Sequence, residues 1–426
     1  MRLPRLAGPV VLDGVVDEAA WRAVAPAPTV VYEPVFGGAP SQITEIRVAH
    51  DDEHLYLAAR LRDTEPAEVR ANSLYRDEYA GDDTVGLIVD PFNDDTTALW
   101  FYTMPTGARV DGTVSADMAS GEPDWSWNGR WDAAARRTSD GWSAEMRIPF
   151  STLGFQSEAG GVTMGLSVYR WLARPSERHA WPPVPPRWPR AYAKPSRLRD
   201  VTLTGVASRR ALTVTPYALV GYSVESPAPA RGAGRRGPDE EAAAYSAGVD
   251  AKYGITSNLT LDVTVNTDFA QVEADDEQIN LTRYPLFFPE KRQFFLERAG
   301  IFDFPLEGDG RLFHSRRIGL ADGKPVAILG GARLAGRAGR WEIGALNLQT
   351  AKSDALPSEN FGVLRLRRQL GDPLSSVGGM LTSRVGLDGS YNTAYGVDGT
   401  LHVVGDEFLS LRLAQSLRSR RPDEAG

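Results

Sequence analysis

The run Asp90-Pro-Phe-Asn93-Asp94-Asp95 concentrates side-chain oxygen atoms in a short stretch of the chain. Ca²⁺ prefers clustered carboxylate, amide and carbonyl oxygens, so Asp90, Asn93 and Asp94 could ligate a structural calcium ion. The stretch does not match the twelve-residue calcium loop of helix-loop-helix proteins. Because Asp, Asn and Pro also favour turns, a turn between two strands is the simpler interpretation.

Residue types that perform catalysis occur here without a catalytic spacing. The five His residues form no H-E-x-x-H motif, and there is no G-x-S-x-G, phosphate-loop or dinucleotide-loop motif. With zero Cys there is no disulfide, thiolate metal site or Cys nucleophile. Glycoside hydrolysis needs two carboxylates that flank the scissile bond, and nothing among the 55 acidic residues marks such a pair. The sequence therefore favours a non-catalytic protein without a cofactor. The one metal ion that it could bind is the structural calcium ion considered for Asp90, Asn93 and Asp94.

Length and composition indicate a folded protein of at least two domains. The chain has 426 residues, of which 42% are apolar and 24% are charged, as in ordinary folded proteins. The formal net charge of −8, without a basic stripe carrying stacking aromatic residues, excludes a general nucleic-acid binder. No stretch approaches the roughly 18 apolar residues of a membrane helix, but a membrane barrel strand needs only about 9–11 residues.

Residues 1–200 have the short alternating strands and Gly, Pro and Asp turns of an antiparallel β-sandwich. Leu55, Leu57 and Leu61, for example, alternate with polar side chains. The Pro-rich segment 171–204 is predicted to connect two domains that meet near residue 200, because Pro cannot donate the hydrogen bonds of a sheet. The predicted strands cover residues 44–49, 54–61, 84–90, 98–104, 142–149 and 162–170.

Residues 201–426 have longer alternating strands, typical of an outer-membrane-type antiparallel β-barrel. In residues 245–253, Tyr, Ala and Val alternate with Ser, Gly, Asp and Lys. Lipid would take the apolar set and a polar lumen the other, although a large soluble β-domain with one wet face alternates in the same way. The nine predicted strands cover residues 211–222, 244–254, 258–269, 326–336, 341–350, 360–367, 375–384, 393–404 and 407–416.

Two segments interrupt these strands. Residues 224–242 are polar and of low complexity, so we expect an exposed loop. Residues 270–325 are too long for a hairpin loop and too aromatic for disorder, and we expect them to pack into the lumen or across its mouth. The basic residues Arg283, Lys291, Arg292, Arg316 and Arg317 are predicted to form a structural ion-pair network with Asp268, Glu273, Glu290 and Glu297.

The stretch TDFAQVEADDEQINLTRYPLFFPEKRQFFLE, followed by LFHSRRIGL and VAILGGARLAGRAGRWEIGALNLQT, is too unusual to be explained by strand or helix pattern. It closely resembles a family of predicted bacterial outer-membrane β-barrels. Their barrel domain has no known function and follows a family-9-type carbohydrate-binding domain. The first half resembles that module too, through DGVVDEAAW, DDEHLYLAARLRD, GDDTVGLIVDPFND, MPTGARVDG and DGWSAEMRIPFSTLGF, in this order.

This resemblance implies a sugar site in residues 1–200, because aromatic rings in that family clamp a sugar and polar side chains bond its hydroxyls. Trp125 and Trp127 are the favoured platforms, since they lie in the loop-like run SGEPDWSWNGRW. Met104 stands where the family often has Asn, which removes one polar sugar contact. The other candidates are Trp100, Tyr102, Trp171, Trp181 and Trp188 as platforms, and Arg47, Glu78 and Arg109 as hydroxyl partners.

The two ends of the sequence lead us to expect a fragment. The N-terminal residues contain no apolar segment long enough for a secretory signal, which related exported proteins would carry just before this point. Nine strands is an odd number for a bacterial barrel, and a closing aromatic strand is missing. The resemblance implies an outer-membrane protein whose N-terminal domain is periplasmic or surface-exposed.

Three functions stay open at this point. The first is a non-catalytic envelope protein that binds an oligosaccharide or polysaccharide for capture or uptake, with outer-membrane lipid as its other partner. The second is a xylanase-type glycoside hydrolase or its accessory, because modules resembling residues 1–200 are often attached to such enzymes. The third is a structural envelope protein whose sandwich has lost sugar binding.

Overall fold

The computed structural model describes two β-rich parts of the chain. It covers residues 1–114, 116–118, 123–125, 127–155, 161–206, 212–225, 240–256, 258–266, 290, 292–296, 298–306, 310–321, 324–353, 356–372, 375–404 and 407–419. Most of the predicted loop 224–242 and the first part of segment 270–325 lie outside these residues.

Two antiparallel sheets build the first part. A seven-stranded sheet has the order β1-β10-β9-β4-β5-β6, with β11 also paired to β9, and a four-stranded sheet has the order β2-β3-β8-β7. The six predicted strands are confirmed within two residues at each end, and five more are added. The strands are β1 Val30–Glu33, β2 Thr44–His50, β3 His54–Arg62, β4 Thr84–Asp90, β5 Ala98–Thr103, β6 Arg109–Val114, β7 Asp132–Thr138, β8 Gly141–Pro149, β9 Val162–Leu172, β10 Glu177–Trp181 and β11 Arg199–Leu203.

The main core of this sandwich lies between the two sheets. Alternate residues of facing strands meet there, as the period of two requires. Leu57 and Met146, for example, are cross-strand partners on β3 and β8, and both are fully buried. Phe101 and Val168 face them from the seven-stranded sheet. The core therefore leaves the opposite face of each sheet to be covered by loops.

The Pro-rich segment 171–204 is part of the sandwich, so its prediction as an interdomain connector is wrong. It contributes β10 and β11, both paired with β9. Between these strands, Ala191, Tyr192 and Ala193 are buried on the outer face of the seven-stranded sheet. Pro is accommodated because the Pro residues lie between the strands rather than in them.

The N-terminal segment covers the outer face of the four-stranded sheet. Trp21 is 3% exposed and packs with Val16 and Tyr56 in a second cluster. Under this segment, the Glu145 carboxylate on β8 accepts the backbone N–H groups of Asp13 and Gly14 at 3.2 and 3.1 Å. Burial, together with the charge of Glu18, raises the pKa of Glu145 to about 7. The folded state therefore favours the protonated form of this side chain.

We expect this buried carboxyl to make the sandwich less stable as the pH rises. A folded-state pKa near 7 means that the folded state binds the proton more tightly than the unfolded state. The free energy of unfolding then falls by roughly 1–3 kcal/mol between pH 5 and pH 8. Denaturant unfolding of the parent and of Glu145→Gln at both pH values would measure it. Equal pH dependence in the two proteins would contradict the assignment.

A nine-stranded antiparallel sheet builds the second part. Its strand order is β12-β13-β14-β17-β18-β19-β20-β21-β22, and across the described residues β12 and β22 each pair with one neighbour only. All nine predicted strands are confirmed, and the described sheet is an open meander. The strands are β12 Leu212–Glu225, β13 Glu240–Gly254, β14 Leu259–Val265, β17 Ile328–Ala338, β18 Trp341–Thr350, β19 Glu359–Gln369, β20 Ser376–Gly386, β21 Tyr391–Val404 and β22 Glu407–Arg418, while β15 Leu320–Ala321 and β16 Lys324–Pro325 form a separate ribbon.

The two faces of this sheet differ sharply. One face exposes apolar side chains on every strand from β12 to β22, among them Val214, Tyr245, Val263, Leu381 and Leu411, which are 40% to 78% exposed. The other face carries polar and charged side chains, and the cross-strand ion pairs include Arg333–Asp262 and Arg365–Asp398. This is the alternation that the sequence predicted.

The described part of segment 270–325 packs on the polar face. Phe302 and Phe304 are buried there against Leu346 and other sheet residues. Arg292 donates from Nε and Nη2 to the two carboxylate oxygens of Glu290, at 2.8 and 2.7 Å. That ion pair of the predicted network is confirmed. Arg283, Lys291, Asp268, Glu273 and Glu297 lie outside the described residues.

Helices are short and serve as connections. In the part of the chain that the structure describes, no helix has the length and apolar character needed to cross a membrane. The helices are α1 Phe150–Leu153 and α2 Gln293–Leu296, with 3-10 turns at Ala19–Trp21, Pro66–Glu68, Ala116–Met118, Ala191–Ala193, Pro195–Arg197, Ala299–Phe302 and Ser315–Arg317.

Candidate functional site

The acidic run after β4 forms a hydrogen-bonded turn. The Asp90 carboxylate accepts the backbone N–H groups of Phe92, Asp94 and Asp95 at 2.8 to 3.0 Å. The Asp94 carboxylate accepts four hydrogen bonds from the two threonines that follow, and Asn93 has a φ of 49°. Among the described residues no group of three or more His, Asp or Glu is arranged to hold a metal ion. The geometry thus favours the turn over the calcium site.

Trp125 lies on the outer face of the seven-stranded sheet. Asp124 and Thr113 exchange two backbone hydrogen bonds of 2.8 and 2.9 Å, which tie the Trp125 loop to β6. Gly112 leaves space for the indole, since a Cβ there would come within 2.7 Å of Trp125 Cε3. The ring centroid lies 5.9 Å from that of Tyr102, and Trp125 remains 36% exposed. The ring is therefore both fixed and accessible.

Asp111 anchors the loop that carries Trp125 from the opposite side of β6. Its carboxylate is fully buried and accepts hydrogen bonds from Arg76 Nη2 at 2.6 Å, from the Gly129 N–H at 2.5 Å and from Trp131 Nε1 at 3.1 Å. Charge-assisted hydrogen bonds of this kind are stronger than neutral ones. One side chain thus ties together two loops that flank the exposed aromatic residues.

A second exposed ring, Tyr79, is held by the loop before β4. The Asp82 carboxylate accepts the backbone N–H groups of Asn72 and Ser73 at 2.8 and 2.6 Å, which folds this loop against the strand. Tyr79 is 50% exposed, and its ring centroid lies 6.3 Å from that of Tyr102 at an interplanar angle of 86°. Tyr102 therefore forms a buried floor between two more exposed rings.

Trp171 and Arg178 continue this surface onto β9 and β10. They are cross-strand partners, and the guanidinium carbon of Arg178 lies 4.7 Å from the Trp171 ring centroid. Arg178 donates to Glu33 Oε2 at 3.2 Å and to the Tyr192 hydroxyl. Burial raises the pKa of the Tyr79 hydroxyl, although a hydrogen bond from Trp171 and the charge of Arg178 oppose the rise. Tyr79 is thus a neutral hydroxyl at physiological pH.

Tyr79, Tyr102, Trp125, Trp171 and Arg178 together form one surface, which we call the aromatic patch. It combines the rings of Tyr79 and Trp125, each nearly perpendicular to that of Tyr102, with a guanidinium group and a phenol hydroxyl. Such rings present electron-rich faces to C–H groups, and the guanidinium and hydroxyl supply hydrogen bonds. Such groups can stack on and orient a polar ring-shaped ligand.

The structure brings only some of the predicted platforms to this patch. Tyr102, Trp125 and Trp171 belong to it. Trp100 lies directly beneath, 4% exposed, and donates from Nε1 to the Tyr169 hydroxyl at 2.8 Å. The expectation that Trp127 is exposed is wrong, because it is 6% exposed and packs in the core between the sheets, 5.8 Å from Phe101.

Arg109, predicted to bond a sugar hydroxyl, is engaged elsewhere. It donates to the backbone carbonyl of Trp131, lies over the Trp131 ring and pairs with Asp132 at 3.5 Å. It thereby joins β6 to β7. Arg47 likewise pairs with Glu45. Trp181 lies in the core between the sheets, and Trp188 stacks with the guanidinium of Arg197. Met104 is fully buried, whereas Glu78 is exposed beside the patch.

Sequence reasoning missed Tyr79 and Arg178 as site residues. Tyr79 precedes a strand in a run of Gly and Asp, where a lone Tyr gives no signal. Arg178 lies in the Pro-rich segment, which was predicted to be a connector. Residues 177–181 show no alternation of apolar and polar side chains, so the local sequence offers no signal for this strand. The pairing of β10 with β9 then brings Arg178 beside Trp171.

Comparison with protein families identifies both parts of the chain. Residues 12–205 match the family described as "Carbohydrate family 9 binding domain-like". Residues 211–328 match a domain of unknown function, DUF5916. The first part of the chain, an antiparallel sandwich, is thus similar to family-9 carbohydrate-binding domains, and the second part is similar to a domain of unknown function. Among curated proteins, none matches the chain at a significant level.

Two solved structures resemble the first half of the chain. One is a family-9 carbohydrate-binding module from Caldicellulosiruptor kristjanssonii in complex with cellotriose, with 18% identity over 49% of this chain and 95% of that chain and a TM-score of 0.34. The other is a putative carbohydrate-binding protein from Bacteroides uniformis, with 16% identity over 48% of this chain and 98% of that chain and a TM-score of 0.39.

Proposed function

We propose that this protein is a non-catalytic cell-envelope protein that captures an oligosaccharide on the aromatic patch of its sandwich. The observation that carries the proposal is the exposed Trp125 and Tyr79 on either side of Tyr102, with neighbouring ring centroids 5.9 and 6.3 Å apart. Pyranose rings expose C–H groups on their faces, and these groups stack on aromatic rings. The family match of residues 12–205 supports this class of ligand.

The polar members of the patch would orient the sugar. Arg178 Nε and Nη1 are used by Glu33 and Tyr192, and Nη2 has no partner within the described residues. A guanidinium whose other donors are already fixed in place is a preorganised donor to a sugar hydroxyl, which lowers the entropy cost of binding. Stacking would then supply most of the affinity, and Arg178 would supply orientation.

Calorimetric titration of the full chain in detergent with cellotriose and xylotriose tests the proposal. We expect saturable binding of at least one β-linked trisaccharide, with no release of reducing sugar. A chain that binds neither these nor any member of a glycan array would contradict sugar capture. Release of reducing ends from xylan would instead favour the glycoside hydrolase alternative.

We further propose that the nine-stranded sheet belongs to an outer-membrane β-barrel whose apolar face contacts lipid. Nine strands spaced about 4.8 Å apart make a sheet roughly 40 Å wide, and every strand exposes apolar side chains on this face. Soluble monomers rarely expose apolar patches larger than a few hundred Å². Aromatic side chains also lie near both ends of the strands on this face, as membrane-interface belts require. Tyr253 and Trp341 lie at one end, and Tyr222, Tyr245 and Tyr391 at the other. Tyr245 and Tyr253 are about 26 Å apart along β13 at 3.3 Å per residue.

A charged side chain in the middle of this face should lower the free energy of unfolding only if the face contacts lipid. Leu381, in the middle of β20, is 45% exposed, and Leu381→Arg should lower the free energy of unfolding in vesicles by about 2–4 kcal/mol. Leu387→Arg is the matched control, since Leu387 is 82% exposed in the turn after β20. Urea titration of both variants in lipid vesicles measures the difference. Equal costs would argue against lipid contact.

A further inference from the structure

The connections at the two ends of the nine-stranded sheet differ in length. At one end, which we call the short-turn end, strands are joined by residues 255–258, 339–340, 370–375 and 405–406. At the opposite end they are joined by residues 226–239, 266–327, 351–358 and 387–390. Outer-membrane barrels have short turns on the periplasmic side and longer loops outside the cell. In a membrane barrel, this difference in connection length would place the short-turn end on the periplasmic side.

The acidic turn of the sandwich, residues 90–97, contacts the short-turn end. Arg337 Nη1, next to the turn between β17 and β18, lies 2.6 Å from Asp94 Oδ2. The Asp94 side chain is 4% exposed and that of Arg337 is 14% exposed, so the pair is largely shielded from water. Shielding strengthens such a pair relative to a surface ion pair.

Further contacts widen this interface on both sides of the ion pair. Gln369 Nε2, at the end of β19, donates to the Asp94 carbonyl at 3.3 Å. The guanidinium of Arg298 lies 5.3 Å from the ring of Phe92 and donates to the carbonyl of Asn258 in the turn between β13 and β14. The sandwich thus contacts the ends of β17 and β19 directly, and it approaches the turn between β13 and β14 through Arg298.

From these contacts we propose that residues 90–97 dock the sandwich onto the short-turn end and hold it on the periplasmic side of the outer membrane. This inference rests on the proposed barrel. It also gives the acidic turn a role other than calcium binding: its hydrogen bonds present Asp94 rigidly to Arg337. Because β12 begins at this end, only residues 204–211 separate the sandwich from the sheet, which agrees with close docking.

Single-cysteine labelling in intact cells tests the orientation, and the absence of natural Cys makes it clean. Ser139→Cys marks the exposed turn between β7 and β8 of the sandwich, and Lys352→Cys marks the opposite end of the sheet. The reagent is a maleimide on a polyethylene glycol too large to enter porins. We expect Lys352→Cys to react in intact cells and Ser139→Cys to react only after permeabilisation. Reaction of Ser139→Cys in intact cells would overturn the proposal.

Cross-linking tests the docking itself. Asn93→Cys with Arg340→Cys should be joined by a short bismaleimide, because both positions adjoin the Asp94–Arg337 pair. Asn93→Cys with Lys352→Cys is the control, since β18 lies between those sites on the sheet and spans about 33 Å. Equal yields, or none for either pair, would overturn the docking. Failure of the barrel proposal would show separately, as loss of the protein from the membrane fraction.

Discussion

Replacing Trp125 by Ala should weaken oligosaccharide binding by about 10- to 100-fold, measured by calorimetry on the full chain. Trp125 is the larger of the two exposed rings of the aromatic patch. Its indole lies against Gly112, which has no side chain that could take over the stacking surface after the substitution. The loss should be in stacking, since the sugar would lose one wall of the site. Trp125→Phe retains an aromatic face and should lose less affinity.

Trp188→Ala is the matched control for this experiment. Trp188 lies in the same domain and stacks with Arg197, but it is not part of the patch. It removes an indole of equal size, so an unspecific loss of packing would affect both variants alike. If Trp125→Ala and Trp188→Ala reduce the affinity equally, or if neither does, the aromatic patch is not the sugar site.

Asp111→Ala should lower the free energy of unfolding of the sandwich by about 2–4 kcal/mol. The fully buried carboxylate holds Arg76, Gly129 and Trp131 at once. Its removal takes the acceptor from the Gly129 N–H and from Trp131 Nε1 inside the protein, whereas Arg76 keeps its hydrogen bond to the Gly129 carbonyl. Nine of the ten Trp residues lie before residue 200, so tryptophan fluorescence during denaturation reports on the sandwich. Sugar affinity should fall too, because the Trp125 loop loses its anchor.

Asp132→Ala serves as the control for that stability measurement. Asp132 also pairs with arginines, including Arg147 at 2.9 Å, but its side chain is 53% exposed. Exposed ion pairs contribute about 0–1 kcal/mol because water and salt screen them. If Asp132→Ala lowered the free energy of unfolding as much as Asp111→Ala, burial of the carboxylate would not explain how much Asp111 stabilises the sandwich.

The pattern of strands could be predicted because alternation is a local property. A residue on a strand has its neighbours two positions away on the same face, so Leu55 and Leu57, or Leu409 and Leu411, reveal the strand without any distant partner. The nine long strands and their exposed apolar face follow from this rule. The family resemblance added the order of the two parts.

The missed strands show where the rule stops. β6, β7 and β10 carry few alternating apolar residues, and β10 is surrounded by Pro. These strands exist because a partner strand supplies hydrogen bonds along their whole length, such as the pairing of Glu177–Trp181 with Val168–Leu172. That pairing is a tertiary fact, and a local window of sequence does not contain it.

The sequence by itself thus determined the strand periodicity, the two-part organisation and the presence of aromatic residues suited to a sugar. Only the tertiary structure decided which rings are accessible. Trp125 and Trp127 are two residues apart in one loop, yet one lies on the outer face and the other in the core. Gly112 leaves space for the indole of Trp125, and Phe101 packs against the indole of Trp127. Both residues are distant from these Trp residues in the sequence. Burial of a loop side chain depends on such distant neighbours, whereas alternation in a strand does not.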